Sequence, residues 1–166
     1  MKLTKSERLV LINQYTILEK LYPEDKTYSY NKKVIVNGYT SEYDELFNEL
    51  HEDIPEEICK DVWDILQMHR SLKFSFDNLE DKGDLKENDI KFQGFDGNDE
   101  TDYMVYAKFI IHDMDRYKEL ENEHRDYNTH FPTLSKYQRM VCNWKNISDR
   151  YNNKLSLEQI KSIINS

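Results

Sequence analysis

The segment from Asp53 to Leu79 constrains this chain more than any other. Ile58, Val62, Ile65, Leu66, His69, Leu72, Phe76 and Leu79 follow one another mostly three and four residues apart, the spacing of one face of an α-helix. Asp53 is a good N-cap, and Pro55 suits a first turn, where a missing N–H has no partner to lose. Glu56 and Glu57 suit the positive end of the helix dipole. At 1.5 Å per residue such a helix runs for about 35 Å, long enough to be the central element of a domain.

Other segments carry the same period. Thr4 and Glu7 fit a capping box, opening a helix with Leu11, Tyr15 and Leu18 on one stripe, Leu9, Ile12 and Leu21 beside it, and Pro23 past its end. A second helix spans about Lys26 to Asn37, with Val34 and Ile35 inward and Gly38 as its stop. Thr40 or Ser41 is expected to cap a short helix bearing Tyr43, Leu46, Phe47 and Leu50. Alternation from Ile90 to Phe95 predicts a short extended segment. Asp96 or Asn98 then caps a helix whose inner face is Tyr103, Tyr106, Ala107, Ile110, Met114 and Tyr117. After an irregular stretch from Glu121 to Phe131, Pro132 precedes a helix carrying Tyr137, Met140, Val141 and Trp144. Ser156 and Gln159 form a second capping box, opening a helix with Leu157, Ile160, Ile163 and Ile164. The expectation is one compact all-α domain, residues 1–166, of six or seven helices, with one long central helix and one short extended segment.

Composition narrows the function classes. With 166 residues and 13% aromatics the chain has the material for a core, so disorder is excluded. A mean hydropathy of −0.89 leaves no apolar run that spans a bilayer. The Met1–Thr4 start lacks the apolar region of a signal peptide, and Cys59 and Cys142 form neither a disulfide framework nor a zinc pattern, so a cytoplasmic location is expected. The net charge of −9 disfavours non-specific binding to nucleic acid. Its distribution is uneven. From Thr133 onward six bases (Lys136, Arg139, Lys145, Arg150, Lys154, Lys161) face only Asp149 and Glu158, whereas acids crowd the segment from Thr40 to Asp64. The plain reading is a solvated helical face; the sharper one is self-association or a basic partner for the acidic half.

Several stretches resemble the YfbU family of bacterial proteins. They are Arg8-Leu9-Val10-Leu11 with Asn13-Gln14-Tyr15, Gly38-Tyr39, and Glu57-x-Cys59 leading to Asp64-Ile65 and Met68. The most specific are Phe92-x-Gly94-Phe95-Asp96 and Lys136-Tyr137-Gln138-Arg139-Met140 with Trp144. The resemblance runs over nearly the whole chain. It implies a compact helical bacterial protein and brings no catalytic residue with it.

Three groups of residues are candidates for ligand or partner binding, each with a structural alternative. Asn13 and Gln14 interrupt an apolar helix, either as buried amides pinning a loop or as ligand contacts; an unpaired buried amide costs about 1–3 kcal/mol. Gly94, Phe95, Asp96 and Asn98 belong to a glycine-bearing loop that either admits a ligand closely or simply turns into the next helix. A calcium loop fails there, because Thr101 and Ala107 stand where glycine and a bidentate glutamate belong. Lys136, Arg139 and Asn143 form a polar stripe that either holds a phosphate or stacked base or pairs with acids of the negative half.

His112, Asp113, Asp115 and His124 join into a metal site only if a fold is assumed, and His69 on an apolar face reads as a core histidine. Asp84, Asp89 and Lys91 faintly imitate a nuclease set, which needs acids on adjoining strands. No catalytic, metal or cofactor residue is assigned. The expected function is a non-enzymatic helical interaction or regulatory module, a homodimer with room for another protein partner. The alternatives are nucleic-acid binding or processing through the C-terminal stripe, and a small-molecule-binding protein or enzyme centred on the Gly94–Asn98 loop. A helix-turn-helix made of the Thr40 helix and the long helix belongs to the former, although its acids oppose DNA.

Overall fold

The structure is a computed structural model that describes residues 1–122, 126–148 and 150–166. It is all-α, with seven α-helices and no named strand among the described residues. The chain divides into two compact units, Met1–Asp53 and Ile54–Ser166.

In the first unit α1 (Lys5–Leu21) packs on α2 (Lys26–Asn37). The Thr4–Glu7 capping box forms as expected, and Asp25 caps α2 by accepting the Thr27 N–H. Gly38 ends α2 in the left-handed region at φ 71°, a conformation that costs glycine little. Arg8 reaches across to α2, donating from Nε and Nη2 to the Ile35 carbonyl at 2.9 and 2.7 Å and from Nη2 to that of Val36 at 2.9 Å. The guanidinium thereby satisfies carbonyls that have no partner within the last turn. Val34, Ile35 and Tyr43 form the small core, with Leu11, Ile12 and Tyr15 against it.

Two expectations fail in this unit. Leu9 and Leu21 lie on the outer side of α1, at 60% and 65% exposure. The segment after Gly38 forms no α-helix and no side-chain cap; it folds into two 3-10 turns, Thr40–Glu42 and Glu45–Phe47, with Leu50 exposed. Only Tyr43 of this stretch is buried, so too little apolar surface is covered to support a longer helix. The helix-turn-helix reading falls with it.

The second unit is built round α3 (Glu56–Asn78). Its start differs from expectation: Pro55, not Asp53, occupies the cap position, without a side-chain hydrogen bond. Of the expected stripe Val62, Ile65, Leu66, His69, Leu72 and Phe76 are buried and Ile58 and Leu79, at its ends, are half-buried; Met68, Ser71 and Ser75 are buried as well. Burial spreads beyond one face because α3 is contacted by α4 (Glu87–Ile90), α5 (Thr101–Lys108), α6 (Leu134–Lys145) and α7 (Leu157–Ile164). The two serines repay their desolvation: Ser71 Oγ donates to the Arg150 carbonyl, and Ser75 Oγ accepts the Leu155 N–H at 3.0 Å.

The extended segment is present but short. Ile90 belongs to the single turn of α4, and Phe95 makes an isolated parallel bridge to Asn128. After α5 the chain loosens into a π-helical stretch, Phe109–Asp113, so the regular inner face ends at Ile110 and Ile111, and Met114 is 38% exposed. Tyr117 is nonetheless buried, in the left-handed region at φ 53°, with the Arg70 guanidinium 3.9 Å from its ring centre. The α6 face and the Ser156–Gln159 capping box of α7 are as expected.

Candidate functional site

The glycine-bearing loop is packed closely against residues 127–129. Gly94 has φ 109°, and a Cβ on it would come within 2.0 Å of the Tyr127 carbonyl oxygen, so no other residue fits without moving backbone. That closeness lets Phe95 N donate to Tyr127 O at 2.9 Å and Thr129 N donate to Phe95 O at 3.0 Å. The neighbouring Gly97 N–H donates to Asn128 Oδ1 at 3.0 Å. Phe95 itself is fully buried among Phe92, Tyr103 and Tyr137. The Asp96 carboxylate is buried and turned to the loop's own backbone, whereas Asn98 is exposed.

Asp96 does not cap α5. Its Oδ1 accepts the Asn98 N–H at 3.0 Å, closing a tight side-chain turn, while Glu100 stands at the cap position. Glu100 caps a different helix. Buried to 7% exposure, its carboxylate accepts the backbone N–H groups of Asp96 at 3.0 Å, Thr133 at 3.0 Å and Leu134 at 2.8 Å. Thr133 lacks its own capping bond because its hydroxyl donates to Gly94 O at 2.8 Å. In the sequence Glu100 stands out only as the third ligand position of the failed calcium loop; its capping role is not legible there, since Thr133 and Leu134 lie over thirty residues away. A carboxylate facing several main-chain N–H groups at a helix start is the arrangement that helix ends favour.

Asn13 and Gln14 are exposed on α1, which excludes the buried-amide alternative. They lie on the outer face together with Val10, Ile17 and Leu21, which are 58%, 53% and 65% exposed. No residue of α1 is fully buried.

The C-terminal stripe divides. Arg139 Nε donates to the Ser166 carbonyl at 3.2 Å and Asn143 Nδ2 to that of Ser162 at 3.3 Å, so both secure the end of the chain. Among the described residues Lys136 and Arg139 do not pair with acids. The acid–base pairs instead join Lys145 to Asp64 and Lys161 to Asp84.

Lys136 has another setting. It lines a polar cavity of about 510 Å³ in the second unit, together with His69, Lys91, Gln93, Tyr137 and Lys161. Asp84 and Asp89 also line it, so residues read as a faint nuclease imitation do converge, but on helical and loop segments rather than on strands. Both acids are engaged: Asp84 pairs with Lys161, and Asp89 accepts the Lys86 N–H at 2.8 Å. Lys91 and Lys136 have no ion pair among the described residues.

His69 is 1% exposed and contacts the rings of Phe92 and Tyr137. Its Nδ1 lies 3.0 Å from the Ile90 carbonyl, which can only accept, so Nδ1 carries the proton and Nε2 presents a lone pair. That lone pair has no hydrogen-bond partner. Burial pushes the imidazole down to about 4, against the raising effect of the Ile90 bond, so the ring is neutral at pH 7. Tyr137 is pushed the other way, up to about 12, by burial; its oxygen accepts the Gln93 N–H at 3.1 Å. The expected core histidine is therefore only half satisfied.

Among the described residues the remaining candidates do not assemble. His112 Nδ1 lies 3.6 Å from Glu121, and His124 falls outside the described residues. Among the described residues no three His, Cys, Asp or Glu side chains are grouped as metal ligands, and no helix is long and apolar enough to cross a membrane. Against known protein families, the YfbU domain model matches residues 1–166, the whole chain.

Proposed function

This chain belongs to the YfbU family, and for it we propose a non-enzymatic role as a helical interaction module that pairs with a second copy of itself. The observation that carries this reading is the outer face of α1. Val10, Gln14, Ile17 and Leu21 recur at alternating four- and three-residue steps, the repeat of a coiled-coil seam, on the exposed side of a helix whose opposite side packs on α2. Leu9 and Asn13 flank the seam.

A second copy is the occupant that best suits this face. An interface between identical copies sets one patch against itself. Gln14 meets that condition, because its amide both donates and accepts and so pairs with its own image. A polar residue at such a position also selects one register over its neighbours. Each of the three aliphatic side chains contributes about 1.5–3 kcal/mol on full burial, against an association cost of roughly 4–15 kcal/mol. The gain exceeds the cost by little, so the pairing is weak and depends on concentration.

The proposed seam carries no charged residue, so this pairing does not draw on the acidic and basic segments. Sedimentation equilibrium tests the reading. The wild type is expected to associate with concentration, little affected by salt, whereas Ile17→Glu stays at 20.1 kDa with unchanged melting. A wild type that is monomeric at every concentration, or an Ile17→Glu variant that pairs equally well, overturns it.

A further inference from the structure

We propose that the polar cavity bounded by α3, α4, α6 and α7 binds a small phosphate monoester that also carries a hydroxyl, with its phosphate on Lys91 and Lys136 and its hydroxyl donating to Nε2 of His69. Two independent observations meet here. One is the pair of lysines lining the cavity without an ion pair among the described residues, while both lining aspartates already have partners, Asp84 in Lys161 of the same cavity and Asp89 in the Lys86 N–H. The other is a buried acceptor: His69 lines the same cavity, is 1% exposed, and has only its Nδ1 bonded.

The chemistry of each group selects the ligand. Two ammonium groups suit a dianion better than a single carboxylate, and lysine serves phosphate as a point charge. Gln93 and Asn165, which also line the cavity, add amide donors for the remaining phosphate oxygens. A neutral imidazole with its proton held on Nδ1 by Ile90 cannot donate from Nε2, so it turns away a bare phosphate oxygen and accepts a hydroxyl. About 510 Å³ lies within the usual size of a small-molecule site. The cavity lies wholly within Ile54–Ser166, so this inference stands or falls separately from pairing through α1.

Glycerol 3-phosphate and methyl phosphate are the probes, compared by calorimetry and by the imidazole ¹⁵N resonances of the full chain. Glycerol 3-phosphate is expected to bind more tightly than methyl phosphate and to move the Nε2 resonance of His69 toward its hydrogen-bonded position. Lys91→Ala and Lys136→Ala each weaken binding about tenfold or more, the loss typical of one charge-assisted contact. Lys145→Ala, whose ammonium is already paired with Asp64, leaves binding unchanged. Equal weakening by Lys145→Ala reduces the effect to general charge attraction and overturns the site. Equal binding of the two probes with a stationary Nε2 overturns the hydroxyl contact, and absence of binding overturns the whole.

Discussion

Glu100 Oε1 accepts the main-chain N–H of Leu134 at 2.8 Å, so the carboxylate at the start of one helix caps another that begins thirty-four residues later. The same side chain holds Asp96 N and Thr133 N and is almost wholly enclosed. Its charge faces those N–H dipoles, the Thr133 hydroxyl at 3.2 Å and the end of α6. Glu100→Ala strands three buried donors, each costing about 1–3 kcal/mol when left unmade. We expect a loss of roughly 3–6 kcal/mol by urea denaturation, with Glu100→Gln losing less because its carbonyl oxygen still accepts. Equal stability of wild type and Glu100→Ala would contradict the assignment.

His69 makes stability depend on pH in a definite direction. Its pKa falls from about 6.5 unfolded to about 4 folded, so below pH 6.5 the unfolded chain takes up a proton that the folded one refuses. The contribution is fully present above the unfolded value, declines as pH falls from 6.5 toward 4, and is constant below that. The loss is on the order of 3 kcal/mol over this window. Denaturant titrations between pH 7 and 5, where few carboxylates titrate, isolate it. His69→Gln should be less stable at pH 7 and flatter across the window; an unchanged slope would rule His69 out as the source.

Glycine substitutions should differ sharply. Gly94→Ala drives a methyl group into the Tyr127 carbonyl in a backbone region that alanine avoids. The pairing of the loop with residues 127–129 would be lost, and the protein is expected to unfold or to lose more than about 3 kcal/mol, as for strained backbone combined with overpacking. At Gly38 the nearest obstacle is the Arg8 guanidinium at 3.2 Å, the far end of a flexible side chain. Gly38→Ala should cost about 1–2 kcal/mol, mostly from its positive φ. Comparable melting of the two variants would refute this ranking.

Arg8 offers a test confined to the first unit. Its three donor contacts to the Ile35 and Val36 carbonyls are the link from α1 to the end of α2. Arg8→Ala removes charge-assisted bonds worth about 1.5–3 kcal/mol. Native-state hydrogen exchange should then show lost protection in Val34 and Ile35 amides, with α3 amides unaffected. Lysine at this position restores a charge but not the fork that spans two carbonyls, so rescue should be partial.

What the amino-acid sequence by itself determined is local. The Thr4–Glu7 and Ser156–Gln159 capping boxes, the Gly38 stop, the bounds of α2 and the buried faces of α3 and α6 each depend on residues within a few positions of one another. For such elements periodicity and capping chemistry contain the needed information. Where a helix has apolar residues on two sides, periodicity cannot choose between them: Leu9 and Asn13 of α1 were as plausible inside as out until α2 took the Leu11–Tyr15 side.

Tertiary structure alone decided the rest. The glycine-bearing loop was visible as a backbone with special freedom, but the cause of that freedom, the Tyr127 carbonyl, lies thirty-three residues away. Asp96 looked like the cap and Glu100 became one, because the donors awaiting a carboxylate belong to α6. The half-satisfied His69 and the lysines around its cavity come from separate segments that share no local pattern. Hydrogen bonds and charges act over a few ångströms of space whatever their distance along the chain. Local sequence therefore sets which helices form, and only their packing sets which polar groups meet and which are left without a partner.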